Sequence, residues 1–75
     1  MNKHKFFVVK YSDETNTYKL DNGILTNISL LNTRIGWDMT IEKCIDFFTI
    51  ALHGEILHIL DNIDIDIYTH FRKLF

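Results

Sequence analysis

The segment Asp21-Asn22-Gly23 most constrains the fold, because it places residues that accept a positive φ between two segments with strand character. Residues 17–20 precede it and residues 24–31 follow it, and both segments mix β-branched, aromatic and polar side chains. Such segments, bounded by turn residues, are typical of antiparallel strands. The pattern therefore predicts a β-hairpin around this turn.

The register of this hairpin depends on whether two or three residues form the loop. A two-residue loop of Asn22 and Gly23 pairs Leu20 with Leu25, whereas a three-residue loop pairs Leu20 with Ile24. The three-residue loop places five apolar side chains on one face: Tyr18, Leu20, Ile24, Ile28 and Leu30. Because a shift of one residue moves every side chain to the other face, we predict the three-residue loop.

The residues on either side of this hairpin complete the predicted fold. Residues 5–11 are rich in β-branched and aromatic side chains and predict a first strand. From Ile41 the apolar residues recur at helical spacing, which predicts a long helix over about 39–61. Asp38 or Thr40 is the expected N-cap. Gly54 interrupts the pattern without changing its phase, so we favour one helix over two.

The last residues of the chain fit two interpretations. Ile63, Ile65 and Ile67 alternate with acidic residues, as in a strand, but helical spacing also continues to Leu74. We favour a second, shorter helix over about 63–74. The prediction is therefore one α+β domain, residues 1–75, in which a three-stranded antiparallel meander packs on a long helix and a shorter second helix. A chain of 75 residues leaves no room for a second domain.

Negative charge is concentrated in the predicted helical part of the chain. Residues 38–66 carry seven acidic groups and one basic group, although the whole chain has a net charge of only −2. On a helix, Asp38, Glu42 and Asp46 are spaced four apart and form one acidic line. Acidic residues near a helix N-terminus also occur for stability alone. A second acidic group follows, and both groups are candidate partner-binding residues: Asp61, Asp64 and Asp66.

No motif in the chain predicts catalysis, a cofactor or a metal. The three glycines are isolated, so there is no phosphate-binding loop. His53 and His58 are five residues apart and do not share a helix face as a metal-binding pair does. Cys44 lies on the apolar side of the predicted helix, where a small buried residue is the simplest interpretation. We therefore expect no enzymatic activity.

The chain contains more apolar residues than one small core is expected to bury. Hydrophobic residues make up 47% of the sequence, and a domain of this size buries only about 60–65% of its unfolded surface. Phe6 and Val8 fall on the opposite face of the first strand from Phe7 and Val9. We therefore predict that Phe6 and Val8 form a homodimer interface or a docking surface for another protein.

These observations predict a small, non-enzymatic protein–protein interaction module. We expect an inhibitor or regulator that docks its acidic helical face on a basic partner protein. The bias towards Ile and Asn, with a single Ala, indicates an AT-rich coding sequence, as in a phage or mobile element of a low-GC host. No apolar segment has the length of a signal sequence or membrane span, so we expect a cytoplasmic protein without membrane contact.

Two alternatives remain open at this point. One is a nucleic-acid-binding regulator that uses the aromatic first strand with Lys3, Lys5, Lys10 and Lys19, although few cations make nucleic acid the weaker candidate. The other is a structural subunit of a larger assembly.

Overall fold

The computed structural model describes residues 4–61. They form five strands and one helical segment, which begins as an α-helix and ends as a turn of π-helix. In chain order these are β1 (Lys5–Lys10), β2 (Thr15–Asp21), β3 (Ile24–Asn27), β4 (Thr33–Gly36), α1 (Ile41–Asp46), the π-helical turn (Phe47–Ala51) and β5 (Glu55–Asp61).

All five strands belong to one antiparallel sheet with the order β4-β3-β2-β1-β5. The chain runs through β1 to β4 as a meander, and β5 then returns to pair with β1 on its other side. The predicted three-stranded meander with a long helix over 39–61 is therefore wrong. Residues 4–61 are mostly β-structure with one short helical segment, and residues 33–36, which lie between the predicted third strand and the predicted helix, form β4.

The turn between β2 and β3 has two residues, so the predicted three-residue loop is wrong. Asn22 has a φ of 51° and Gly23 a φ of 78°, as in a type I′ turn, whose twist matches the twist of the flanking strands. Leu20 therefore pairs with Leu25. Leu25 is fully buried, whereas Leu30, which favoured the other register, lies outside β3 and is 58% exposed.

The helical segment ends where the chain meets β1, which explains why the prediction of a helix to residue 61 fails. His53 has a φ of 55°, and the N–H of Gly54 donates to the Phe48 carbonyl at 2.8 Å. A Cβ added at Gly54 would lie 2.7 Å from Tyr11 Cε1 and 2.8 Å from Val9 Cγ1. Gly54 thus permits a close approach between backbone and β1, and the residues that follow it form β5.

The core lies between the sheet and the helical segment. Thr40 is the N-cap, and its side chain accepts a hydrogen bond from the Lys43 N–H at 3.1 Å. Cys44 and Phe48 face the sheet and are fully buried. The Phe48 ring lies 4.5 Å from the Tyr18 ring and 5.3 Å from the Phe7 ring, measured between centroids. Burying one such phenylalanine contributes about 1.5–3 kcal/mol.

The face of β1 turned away from the helical segment is also buried. Phe6 is 8% exposed and Val8 is fully buried, and Thr17 on β2, which pairs with Val8, is 7% exposed. The strand β1 is therefore buried on both faces, which accounts for its continuous apolar sequence. The second helix predicted over 63–74 lies outside the described residues.

Candidate protein-binding surfaces

The acidic line predicted for the helix is only partly present. Asp38 precedes the N-cap, has a φ of 53° and lies in the connection after β4. Its backbone carbonyl accepts a hydrogen bond from Lys43 Nζ at 3.3 Å. Glu42 and Asp46 both lie on α1 and are exposed. The structure therefore brings together Glu42 and Asp46, and it does not place Asp38 on their helical line.

The line formed by Glu42 and Asp46 continues into an apolar residue. Ile50 follows Asp46 by four positions and is 68% exposed, so it contributes little to the core. Within residues 4–61, neither carboxylate forms a hydrogen bond or an ion pair. We call Glu42, Asp46 and Ile50 the helix surface, because helical spacing places them on the outward side of the segment.

Of the second acidic group, Asp61 lies within the described residues, and Asp64 and Asp66 lie outside them. Asp61 ends β5, and its Oδ1 lies 2.6 Å from Lys5 Nζ. The exposed fractions of the two side chains are 62% for Asp61 and 36% for Lys5. An ion pair so open to solvent contributes little to stability. Asp61 therefore lies on the sheet, separate in the sequence and in the fold from the helix surface.

Phe6 and Val8, predicted to form a docking or dimer surface, are buried within the single chain. Their exposed fractions of 8% and 0% leave almost no area to bury against a second chain. Within residues 4–61, the large apolar residues that remain exposed lie elsewhere, on the loop between β3 and β4, on the connection to α1, on or directly after the helical segment, and on β5. They are Leu30, Leu31, Trp37, Ile41, Ile50, Leu52, Leu57 and Ile59.

The aromatic residues of the first strand do not form an open platform for nucleic-acid bases. Phe6 and Phe7 are both buried, and the Tyr11 hydroxyl forms a hydrogen bond of 2.7 Å with the Tyr18 hydroxyl. Burial, together with this hydrogen bond, raises the pKa of Tyr18. Lys10 points to the opposite face of β1 from Lys5, which pairs with Asp61. Aromatic stacking of bases requires exposed rings, so β1 gives the nucleic-acid alternative no support.

Cys44 is buried, and burial raises the pKa of its thiol to about 11. A thiol with a raised pKa carries little thiolate at neutral pH, which makes it a poor nucleophile. Among residues 4–61, no cluster of three or more His, Cys, Asp or Glu side chains has the arrangement needed to hold a metal ion. Cys44 thus has the environment of a small core residue.

The loop between β3 and β4 is a surface that the sequence analysis missed. The sequence predicts strand structure to residue 31, but residues 28–32 form a loop in which Leu30 is 58% exposed and Leu31 is 93% exposed. We call residues 28–32 the leucine loop. Two adjacent leucines followed by Asn32 interrupt the alternation of a half-buried strand. This interruption is the sequence pattern that indicates the end of the strand.

Hydrogen bonds hold the leucine loop at both ends. Asn27 Oδ1 accepts from the N–H of Ser29 at 2.9 Å and from the N–H of Leu30 at 3.1 Å. The Leu30 carbonyl accepts from the Thr33 N–H at 3.0 Å and from the Thr33 hydroxyl at 2.6 Å. Because Asn27 is itself buried, its side chain holds the loop in a definite position.

Comparison of the chain with protein-family models, with curated proteins and with solved structures gives no match. Within residues 4–61, none of the helical structure is long and apolar enough to cross a membrane.

Proposed function

We propose that the chain is a non-enzymatic protein-binding module, of the inhibitor or regulator type, that docks its helix surface on a basic partner protein. The observation that supports this proposal is the exposure of Glu42, Asp46 and Ile50 along one side of the helical segment, with both carboxylates unpaired within residues 4–61. Lys43, the cation of this segment, is engaged with the Asp38 carbonyl. Within residues 4–61 it forms no ion pair with Glu42 or Asp46, and residues 41–51 have a net charge of −1.

The combination of charge and apolar area suits protein recognition. Carboxylates that face a basic surface orient the two proteins and increase the association rate. An exposed apolar side chain beside them can enter a pocket on the partner and supply affinity. Ile50 has the exposure required for this role. The residue bias of the chain supports the further proposal that it is encoded by a phage or mobile element of a low-GC host.

A matched pair of charge reversals tests the helix surface. Asp46→Lys and Glu55→Lys each replace one exposed acidic residue and change the net charge by the same amount, but Glu55 lies on β5. The tagged full chain and both variants are used to capture proteins from a lysate of a low-GC bacterium, followed by mass spectrometry. We expect Asp46→Lys to lose a protein that the unmodified chain and Glu55→Lys both retain.

The salt dependence of that complex provides the second measurement. A carboxylate-dependent contact weakens as salt screens the charges, so raising the salt concentration should weaken the wild-type complex more than the residual Asp46→Lys complex. Equal retention by Asp46→Lys and the unmodified chain would contradict the proposal. An equal loss with both variants would assign the effect to net charge and would also contradict it.

A further inference from the structure

The turn between β2 and β3 contains the only Asn-Gly pair of the sequence, Asn22 and Gly23. Asn22 is exposed, and its side-chain amide forms no hydrogen bond within residues 4–61. In the same part of the chain, the Gly23 N–H donates to no acceptor. Asparagine is one of the thermolabile residues of proteins, because the backbone nitrogen that follows it can attack its side-chain carbonyl carbon. Here the fold engages neither of the two reacting groups.

The reaction that these two groups allow is deamidation. The Gly23 nitrogen bonds to Asn22 Cγ and loses its proton, and the Asn22 amide nitrogen leaves with the bonding electron pair and takes up that proton as ammonia. The product is a five-membered succinimide ring. Solvent water then breaks one of the two C–N bonds of the ring and gives aspartate or isoaspartate. Glycine favours the attack, because it places no side chain beside the attacking nitrogen.

The folded conformation of the turn prevents this attack. In the five-membered ring, the Asn22 Cβ and the Gly23 nitrogen must lie on the same side of the Asn22 Cα–C bond. The Asn22 φ of 51° lies in the left-handed region, where ψ is about +47°. For an L-residue this ψ turns the following nitrogen almost directly away from Cβ. The ring therefore cannot close until Asn22 rotates out of the turn conformation.

Contacts on both sides of the turn hold it in this conformation. The Met39 N–H donates to the Gly23 carbonyl at 2.8 Å. Leu20 pairs with Leu25, which is fully buried. Opening the turn breaks only these local contacts, so it costs less free energy than unfolding the whole chain. The rate of deamidation then depends on how often the turn opens.

We propose that Asn22 is a modification site, at which deamidation is blocked while the β2–β3 turn is closed and proceeds through the succinimide when the turn opens. Aspartate, one product, accepts the positive φ and lets the turn close again. Isoaspartate, the other product, adds Cβ to the main chain, so the two-residue turn that pairs Leu20 with Leu25 no longer fits. Isoaspartate formation thus converts a transient opening into a lasting one. This proposal is independent of the helix surface and of the function proposed for it.

Asn32 in the leucine loop is the matched control within the same chain. It is exposed, and its φ of 54° is close to that of Asn22. The residue that follows it, Thr33, has a branched Cβ that crowds the attacking nitrogen. The Thr33 N–H also donates to the Leu30 carbonyl at 3.0 Å. Asn32 therefore shares the backbone conformation of Asn22 but lacks an accessible attacking nitrogen.

The first test incubates the full chain in a mildly alkaline buffer, once folded and once in guanidinium chloride. Peptide mass spectrometry follows the loss of each asparagine amide, and chromatography separates the aspartate and isoaspartate products. In denaturant we expect Asn22 to convert faster than Asn32. In the folded chain we expect Asn22 to convert at least about tenfold more slowly than in denaturant, because the turn is closed most of the time.

The second test asks whether local opening of the turn or global unfolding limits the reaction. Leu25→Ala removes a buried side chain beside the turn, and Val9→Ala removes one at the opposite end of the sheet. The two variants are compared at denaturant concentrations that give equal free energies of unfolding. Leu25→Ala should then deamidate faster at Asn22 than Val9→Ala does.

The separated products provide the third test, which also decides if Leu25→Ala does not fold. The isoaspartate form should have a lower urea midpoint of unfolding and faster amide exchange at Leu25 than the aspartate form. Four results would overturn the proposal. They are equal rates at Asn22 in the folded and the denatured chain, equal rates at Asn22 and Asn32 in denaturant, equal rates in the two variants, and equal stability of the two products.

Discussion

Two turns of the meander require the same unusual backbone conformation but use different residues. In the β2–β3 turn, Asn22 and Gly23 have φ values of 51° and 78°. In the leucine loop, Leu31 and Asn32 have φ values of 52° and 54°, and the Thr33 N–H closes the turn on the Leu30 carbonyl. Asparagine and glycine accept this conformation at low cost, whereas leucine does not.

The difference follows from what each turn contacts. The Gly23 carbonyl accepts a hydrogen bond from the Met39 N–H at 2.8 Å, so the first turn helps to position the connection to α1. The second turn places Leu31 in solvent. Where a local sequence preference agrees with the conformation, the fold accounts for the residue. Where they disagree, as at Leu31, the residue's own backbone preference does not explain the conformation.

The largest expected effect comes from removing glycine from the first turn. Gly23→Val places a β-branched side chain at a φ of 78°, and we expect it to lower the free energy of unfolding by about 2 kcal/mol or more. The nearest atoms to an added Cβ lie 3.6 Å away, so the cost arises from the backbone conformation and not from a clash. Urea unfolding measures the change.

Gly23→Asn is the control for this prediction, because asparagine accepts a positive φ. It should cost clearly less than Gly23→Val. Equal losses for the two variants would show that the turn needs glycine for space. Backbone preference would then not explain the difference between the two turns.

Local patterns predict three parts of the fold: the first two strands, the start of the helix and the position of the β2–β3 turn. Residues 5–11 and 17–20 lie where β1 and β2 do, and Thr40 was one of two candidate N-caps. The end of the helix could not be predicted from the pattern. It depends on the contact of Gly54 with Tyr11 and Val9, which are more than 40 positions away in the sequence.

The arrangement of the candidate surfaces could be predicted only in part, for a related reason. Glu42 and Asp46 share a helical line because their spacing is local. Asp38 leaves that line because the Met39 N–H binds Gly23 on another element. Leu30 and Leu31 were interpreted as strand residues, since alternation alone does not show where a strand ends. The hydrogen bonds of Asn27, which end β3, require the folded backbone.

The second largest effect is expected at the support of the leucine loop. Asn27→Ala leaves the N–H of Ser29 without its acceptor and leaves Leu30 with a weaker one, the Asn27 carbonyl at 3.4 Å. We expect a loss of about 1–2 kcal/mol in the free energy of unfolding. Amide hydrogen exchange at Ser29 should accelerate. Asn27→Asp keeps an acceptor oxygen and should lose less, so an equal loss would contradict the role of this side chain.

A smaller loss is expected when the first turn is made to resemble the second. Asn22→Leu places leucine at a φ of 51° on an exposed position, which should cost about 1 kcal/mol. The Asn22 side chain forms no hydrogen bond within residues 4–61, so the backbone preference is the main quantity that changes. Asn22→Asp tolerates the same conformation and is the control. No difference between the two variants would show that the turn tolerates leucine without cost.

The smallest effect, and the one with the opposite sign, is expected when the second turn is made to resemble the first. Leu31→Asn should raise the free energy of unfolding by about 0.5–1 kcal/mol, because asparagine accepts the φ of 52° and the leucine side chain contributes little burial.

The two turns lie at opposite ends of the sheet, so the double variant Asn22→Leu/Leu31→Asn should have nearly the sum of the two changes in the free energy of unfolding. Its stability should therefore be close to that of the unmodified chain, measured by urea unfolding. If Leu31→Asn instead destabilised the chain, Leu31 would stabilise the fold in spite of its exposure.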